Sequence, residues 1–285
     1  MCISVAVDGG GSQCRLAAFS ANGEILGRVS IDEHASLALG VDAAWSHIAQ
    51  GLEAMREQLG YALGWQPDKL VLGLAGSLLA MRRESLMSLV PDGVTCQIFT
   101  DGHAQLLGAS GGEPAVCLAI GTGSVIHWMD EQGAVGKAGG WGYPVGDEGS
   151  GAWLGLRLMQ YCVWDHDGRR QNSLLIPAVQ ERIGNTVSEI QEWTTESRST
   201  VMASLAPLIF ECAQRGDALA QSLIMEAVEQ SLSLISFAPE RLPLYVVGGV
   251  GKRLVPEIEK RLASRVSTVR GDALNGLWLL SQDCR

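Results

Sequence analysis

Residues 119–155, AIGTGSVIHWMDEQGAVGKAGGWGYPVGDEGSGAWLG, hold two glycine-rich turns separated by a short hairpin. The first, Gly121-Thr122-Gly123-Ser124, follows an apolar run at 116–120. Glycine permits positive φ and lets backbone N–H groups approach a ligand closely. Successive N–H groups in such turns form nests that hold phosphate oxygens. The second turn, residues 139–151, contains Asp147 and Glu148. Two carboxylates do not suit an anion; they suit sugar hydroxyls, or a metal ion that carries phosphate. The stretch therefore predicts a phosphate cradle beside a polyol or metal site. The plainer alternative is two loops that only need tight turns.

The surrounding elements must present these turns. Ile3, Val5 and Val7 predict an opening strand, turned by Asp8-Gly9-Gly10-Gly11-Ser12. A second strand at 16–19, the hairpin dipeptide Asn22-Gly23 and a third strand at 25–31 follow. Asp42 is a candidate cap for a helix whose Trp45, Ile48, Leu52, Met55 and Leu59 recur at spacings of three and four. A buried strand at 70–74 ends in Ala75-Gly76-Ser77. A short helix at 79–89, a strand at 95–99, Thr100-Asp101-Gly102 and a helix from about His103 come next.

The second half begins in the same way, with strands at 116–120 and 125–129, a turn at Gln132-Gly133 and a third strand from Ala134. A helix is expected from about Ser150 and helical patterns to about Phe237, with Leu219, Leu223, Ala227 and Ile235 facing a core. A strand at 244–247 runs into Gly248-Gly249. A helix, a short strand at Thr268-Val269-Arg270 and a last helix from Asp272 complete the copy. Setting Ser12 beside Ser124 aligns Gly9 and Gly11 with Gly121 and Gly123. The pattern predicts a duplicated α/β sheet domain with antiparallel hairpin edges, its two glycine turns facing across a cleft. Residues 182–200 read as an exposed polar connection. Residues 165–170 read as a solvated loop, in which His166 between two acids is a weak metal candidate.

The chain of 285 residues is long enough for two domains, and 47% hydrophobic against 18% charged residues allows a substantial core. A net charge of −10 argues against nucleic-acid and anionic-membrane surfaces. No basic n-region and no span-length apolar run is evident, so the expected setting is cytoplasmic. The cysteines, Cys2, Cys14, Cys96, Cys117, Cys162, Cys212 and Cys284, are scattered without metal-ligand spacing and read as buried free thiols.

Asp8-Gly9-Gly10-Gly11-Ser12 resembles the first phosphate motif of sugar kinases with the actin-like, ribonuclease-H-like ATPase fold. Gly121-Thr122-Gly123-Ser124 resembles the second phosphate motif, and Val246-Val247-Gly248-Gly249-Val250 the adenosine motif. The GGWGxxxGDEGSG pattern at 139–151 resembles the N-acetylglucosamine and glucosamine kinase branch grouped with the BadF/BadG/BcrA/BcrD ATPases. The resemblance implies an N-terminal domain at 1–112 and a C-terminal one at 113–285, the last helix being a candidate to pack back on the first. It implies ATP and Mg²⁺ as cofactors, an amino sugar phosphorylated at its 6-hydroxyl, and a homodimer.

By the same resemblance, Gly10, Gly11, Ser12 and Gln13 with Gly121, Thr122 and Gly123 would meet the phosphates, and Gly248 and Gly249 the adenosine. Asp8 would bind Mg²⁺ through water. Ser36, Ser77, Gly140, Trp141 and Asp147 would meet the sugar, and Asp101 would be the general base. A carboxylate at the C-terminal end of a strand is well placed to accept a hydroxyl proton. From position alone Asp101 also suits a helix N-cap, Asp8 an Asx turn, and Trp141 a core aromatic.

The chain departs from the pattern at Gln13 and Cys14, where relatives carry Lys and Thr, so one positive charge near the phosphates is missing. It departs again at Ser36 and Val125, where Asn is common. Two rival readings remain: an ATPase activator of a radical dehydratase or reductase, and a decayed kinase that senses sugar or nucleotide. The scattered cysteines argue against the first, since such activators share an iron–sulfur cluster. The retained Asp8, Asp101 and Asp147 argue against the second.

Overall fold

The computed structural model describes residues 3–10, 13–169, 172–195, 198–262 and 264–282. The chain divides into two compact units, Met1–Ala115 together with Thr268–Arg285, and Val116–Ser267.

The first unit is built on a five-stranded sheet of β1 (Ser4–Gly9), β2 (Cys14–Phe19), β3 (Ile25–Ile31), β4 (Lys69–Leu74) and β5 (Thr95–Phe99), in the order β3-β2-β1-β4-β5. The hairpin strands pair antiparallel, whereas β4 runs parallel to both β1 and β5. Alternation along β1 sends Val5 and Val7 to one face, where they join Leu16, Leu72, and Ile48 and Met55 of α1 (Val41–Leu59). Both faces of β1 are buried, which explains its unbroken apolar run. The other face is covered by α3 (Asp101–Ser110) and α11 (Ala273–Gln282); a Cβ added to Gly73 of β4 would touch Ala104 and Leu277. These two helices cross almost backbone to backbone. A Cβ on Gly276 would lie 2.0 Å from the Ala104 carbonyl oxygen, and one on Gly108 1.9 Å from that of Asp272.

The second unit holds a four-stranded sheet of β6 (Ala115–Ile120), β7 (Ser124–Met129), β8 (Val135–Gly139) and β9 (Leu244–Val247), in the order β8-β7-β6-β9, with β6 and β9 parallel. Its core gathers Leu118, Ile120 and Ile126 with helices α4 (Gly151–His166), α8 (Ala206–Gln214), α9 (Ala218–Ile235) and α10 (Gly249–Leu262). The order β8-β7-β6-β9 repeats the β3-β2-β1-β4 portion of the first sheet.

Four expectations are corrected. Gly40, not Asp42, caps α1; Asp42 lies in its first turn. Thr268–Arg270 is not a strand: the pairing shrinks to one bridge between Leu244 and Val266, and the Arg270 N–H goes to the carbonyl of Ala109 at 3.0 Å. Most of 182–200 is helical. α5 (Leu175–Ile183) ends there, α6 (Val187–Thr195) buries Ile190, and α7 (Ser199–Ala203) buries Met202. Finally, α4 continues through Asp165 and His166, and the chain turns only at Asp167 and Gly168.

Candidate active site

In the second unit the two glycine turns are one structure. The Gly121–Gly123 turn closes on itself, Gly121 N–H donating to the Gly123 carbonyl at 2.9 Å. The first N–H groups of α4, from Gly151 and Ala152, donate to the carbonyls of Gly121 and Thr122 at 2.9 and 3.0 Å. Ser150 caps that helix by accepting from Trp153 N–H. Ser124 ties the turns twice: its hydroxyl donates to the Glu148 carbonyl at 2.8 Å, and its N–H to Asp147 Oδ1 at 3.3 Å.

Asp147 is buried and stands at φ 63°, a left-handed conformation uncommon outside glycine. Its other carboxylate oxygen fills the space beside Gly123, where an added Cβ would lie 2.6 Å away. Gly140, also at positive φ, sits where a Cβ would press on Val125 at 2.8 Å, so the departure at Val125 is packed against the second glycine turn. Trp141 is 85% exposed and is therefore not a core aromatic.

The adenosine-type glycines adjoin this cradle. Gly248, at φ 89°, leaves no room for a side chain, because its Cβ would lie 2.2 Å from the Ile120 carbonyl oxygen. Gly249 and Gly121, by contrast, face open space. Between them lies a cavity of about 360 Å³. Its walls are Gly121 and Thr122 of the turn; Gly249, Val250 and Arg253 of α10; and Ala203, Ala206, Pro207 and Phe210 of α7 and α8. The fold thus brings Gly121-Thr122 and Gly249 to one hollow.

In the first unit Asp8, next to last in β1, stands directly opposite Arg15 on β2, and the two form an ion pair. Burial pushes the Asp8 carboxyl above the usual carboxylate range; Arg15 pulls it down, and the nearby Asp272 adds to the rise. Asp272, before α11, is held by Arg28 at 2.7 Å and shares reciprocal hydrogen bonds with Asn275. Gly10 N–H donates to the Gln13 carbonyl at 3.2 Å, closing the first turn; Gly11 and Ser12 lie outside the described residues, as do Cys2 and Cys284. The Gln13 amide turns to Asp32, at 3.4 Å.

Ser36 and Ser77 are buried, and both use their hydroxyls on the main chain. Ser36 donates to the Ala75 carbonyl at 3.4 Å and Ser77 to that of Phe99 at 3.0 Å. Ser77 thereby braces the end of β5, from which Asp101 emerges. Asp101 is the first residue of α3, and the cap is Thr100, whose hydroxyl accepts from His103 N–H at 3.2 Å. The capping explanation for Asp101 is thus answered. Its carboxylate stands at a helix N-terminus. Among the described residues no group of three or more metal-ligating side chains gathers. The free cysteines are Cys14, Cys96, Cys117, Cys162 and Cys212, and burial pushes Cys14, Cys96, Cys117 and Cys162 up to about 12.

Arg15, Phe210 and Arg253 escaped the sequence reading, which named Asp272 only as the start of the last helix. Pairing the first hairpin outward from its turn sets Arg15 across from Asp8, so that residue was within reach. Arg253 is four residues past Gly249 on one helical face. Phe210 carries no local signal.

A profile of the BadF/BadG/BcrA/BcrD ATPase family matches residues 5–272. The chain is 32% identical to a Chromobacterium violaceum protein provisionally assigned as an N-acetylglucosamine kinase. That crystal structure aligns with TM-score 0.91, covering 98% of this chain and 99% of that one. Glucosamine kinase GspK of Vibrio cholerae serotype O1 is 28% identical over 277 residues, 95% of this chain and 93% of its own. N-acetyl-D-glucosamine kinase of Dictyostelium discoideum is 24% identical over 272 residues, 87% and 85% of the two chains.

Proposed function

From a chain that belongs to the BadF/BadG/BcrA/BcrD ATPase family, with the ribonuclease-H-like fold of actin-like sugar kinases, we propose an enzyme that phosphorylates an amino sugar, glucosamine or N-acetylglucosamine, at its 6-hydroxyl. The observation that carries the reading is the cavity shared by the Gly121–Thr122 turn and Gly249, whose glycines face open space that a nucleotide can fill. The acceptor class follows the names of the relatives.

Phosphoryl transfer depends mainly on positioning and charge stabilisation. The sugar 6-oxygen attacks the γ-phosphorus, the bond to the ADP oxygen breaks, and Asp101 takes the hydroxyl proton. Thr100, not Asp101, caps α3. Gly140, Trp141 and Asp147 form the sugar side, with Asp147 also setting the shape of the phosphate turn. Ser36 and Ser77 hold the loops around the acceptor. Mg²⁺, when bound with ATP, supplies positive charge to the phosphates. One carboxylate, Asp8, suits such a cation, which keeps several waters and arrives on phosphate. The reading carries with it a cytoplasmic setting and the homodimer that the family resemblance implies; among the described residues no helix is long and apolar enough to cross a membrane.

The test is ADP release from MgATP with glucosamine, N-acetylglucosamine, N-acetylmannosamine, glucose, and no sugar. Strong stimulation by one amino sugar, with phosphate found on its 6-oxygen, is expected. Release that is equal with and without sugar would overturn the reading.

A further inference from the structure

We propose that the hollow bordered by Trp141 and Phe237 is a second sugar subsite, so that the acceptor class extends from a single amino sugar to a β-linked disaccharide of amino sugars. The inference rests on the kinase reading above and deepens its acceptor side.

The hollow, of about 450 Å³, lies between the second glycine turn and the C-terminal end of α9. The turn grips that helix at two places. A Cβ on Gly149 would lie 2.8 Å from the Ala227 carbonyl oxygen and 3.3 Å from the Gln230 Cβ, and one on Gly139 would lie 3.0 Å from Leu234. Ala227, Gln230 and Leu234 follow at spacings of three and four, so they form one face of the helix. Phe237 continues that face just past the helix end. Close packing thus fixes the walls before any ligand arrives.

The groups around the hollow have the chemistry of a pyranose site. Trp141 is 85% and Phe237 68% exposed, and among the described residues neither ring meets another ring or a cation. A pyranose offers a flat C–H face, which an aromatic ring can cover, and a rim of hydroxyls, which need donors and acceptors. Glu148 and Gln230 border the hollow with such groups, and Ser233 adds a hydroxyl. Among the described residues the Glu148 and Gln230 side chains hold no hydrogen bond or ion pair; Glu148 secures the turn through its main-chain carbonyl, which accepts from Ser124. A carboxylate here disfavours an anionic ligand, and three polar side chains beside two rings disfavour a purely apolar one. The volume falls within the range of about 300–1,000 Å³ common for small-molecule sites.

The hollow adjoins the proposed acceptor position through two residues. Trp141 borders both. Asp147 and Glu148 are consecutive but differently placed, Asp147 buried against Ser124 and Gly123, Glu148 exposed at the hollow. A ring held on the Asp147 side and one held on the Glu148 side are neighbours within the turn, as two linked rings require.

The experiment compares glucosamine and N-acetylglucosamine with the β-linked disaccharide of each, in the wild type, F237A and Q230A. Binding is measured by calorimetry without nucleotide, turnover by ADP release from MgATP, and oligomeric state by light scattering. The wild type should bind one disaccharide about tenfold or more tighter than its monosaccharide, the order expected for burying one more ring against an aromatic face. F237A, altered at an exposed position, should remove most of that gain and leave monosaccharide binding and turnover unchanged. Q230A should act in the same direction to a smaller extent. Disaccharides bound no better than monosaccharides, or an F237A loss shared equally by both, would overturn the proposal. A wild-type dimer that F237A dissociates would assign the hollow to a second copy of the chain and overturn it too. Selective disaccharide binding with no ADP release stimulated by any sugar would instead count against the kinase reading and leave the subsite standing.

Discussion

Each unit sets a glycine turn at the same place, where the first strand of its sheet gives way to the second, yet the two are secured by opposite means. In the first unit a buried carboxylate, Asp8, meets a guanidinium, Arg15, across the strand pair. In the second a buried carboxylate, Asp147, meets a main-chain N–H, that of Ser124, and the turn carbonyls are tied to the start of α4. The first arrangement is electrostatic and can respond to ligand or pH. The second is a main-chain scaffold that only a change of shape can disturb. A duplicated fold has thus kept its backbone plan while securing one turn by an ion pair and the other by main-chain hydrogen bonds.

The contrast is tested most severely at Asp101, the ionisable group proposed to act in transfer. D101N should lower kcat by about 10²- to 10⁴-fold, the range for a general base, while ATP affinity and thermal midpoint stay near wild type because Thr100 still caps the helix. Undiminished turnover would remove the residue from the mechanism. G248A should strike the scaffold instead. Its Cβ meets the Ile120 carbonyl oxygen and its φ of 89° disfavours any side chain. Urea denaturation should show a loss of about 2–4 kcal/mol; an unchanged midpoint would mean that the cradle is softer than its geometry.

R15A probes the ion pair. Removing one partner of a buried pair costs about 3–5 kcal/mol, but Arg15 is 43% exposed, so about 1–3 kcal/mol at neutral pH is expected. The pH dependence carries the diagnosis. Burial raises the Asp8 carboxyl, so the folded chain holds that proton more tightly than the unfolded chain. Stability from this group is full below the ordinary carboxylate value and is lost as pH rises through the raised one. R15A removes the influence that lowers Asp8. Its deficit should therefore be small where Asp8 is protonated and grow as pH rises; a deficit independent of pH would show that Arg15 acts by packing alone.

Asp217 gives the reverse sign. Burial pushes its carboxyl up, but hydrogen bonds from Ala220, Leu174, Ser173 and Leu175 outweigh this and set it below the usual range. It caps α9. D217A should cost about 1 kcal/mol near neutrality, and the gap should close as pH falls through the depressed value. A gap that widened in acid would contradict the assignment.

Much of the first unit was legible because its signals are local. β5 at Thr95–Phe99 and the Asn22-Gly23 hairpin follow from β-branched runs and turn chemistry. Residues 182–200 misled because their polarity hid a readable sign. Thr186 and Glu189 form a capping box, the Thr186 hydroxyl donating to Glu189 at 2.7 Å while Glu189 N–H returns to it at 3.3 Å. The β-branched Thr268-Val269 suggested a strand because propensity ignores partners. The N–H that a sheet neighbour would have received from Arg270 goes instead to α3.

What the sequence by itself determined is the set of glycine turns, the strands that lead into them, and the acids at their ends, since φ restrictions and period-two alternation act over a few residues. Tertiary structure alone decided the contacts between distant segments. Asp147 folds back over Gly123 through a loop, and Phe210 and Arg253 come together from helices 43 positions apart in sequence. Such pairings depend on long-range packing, which residue types and spacing do not encode one neighbour at a time.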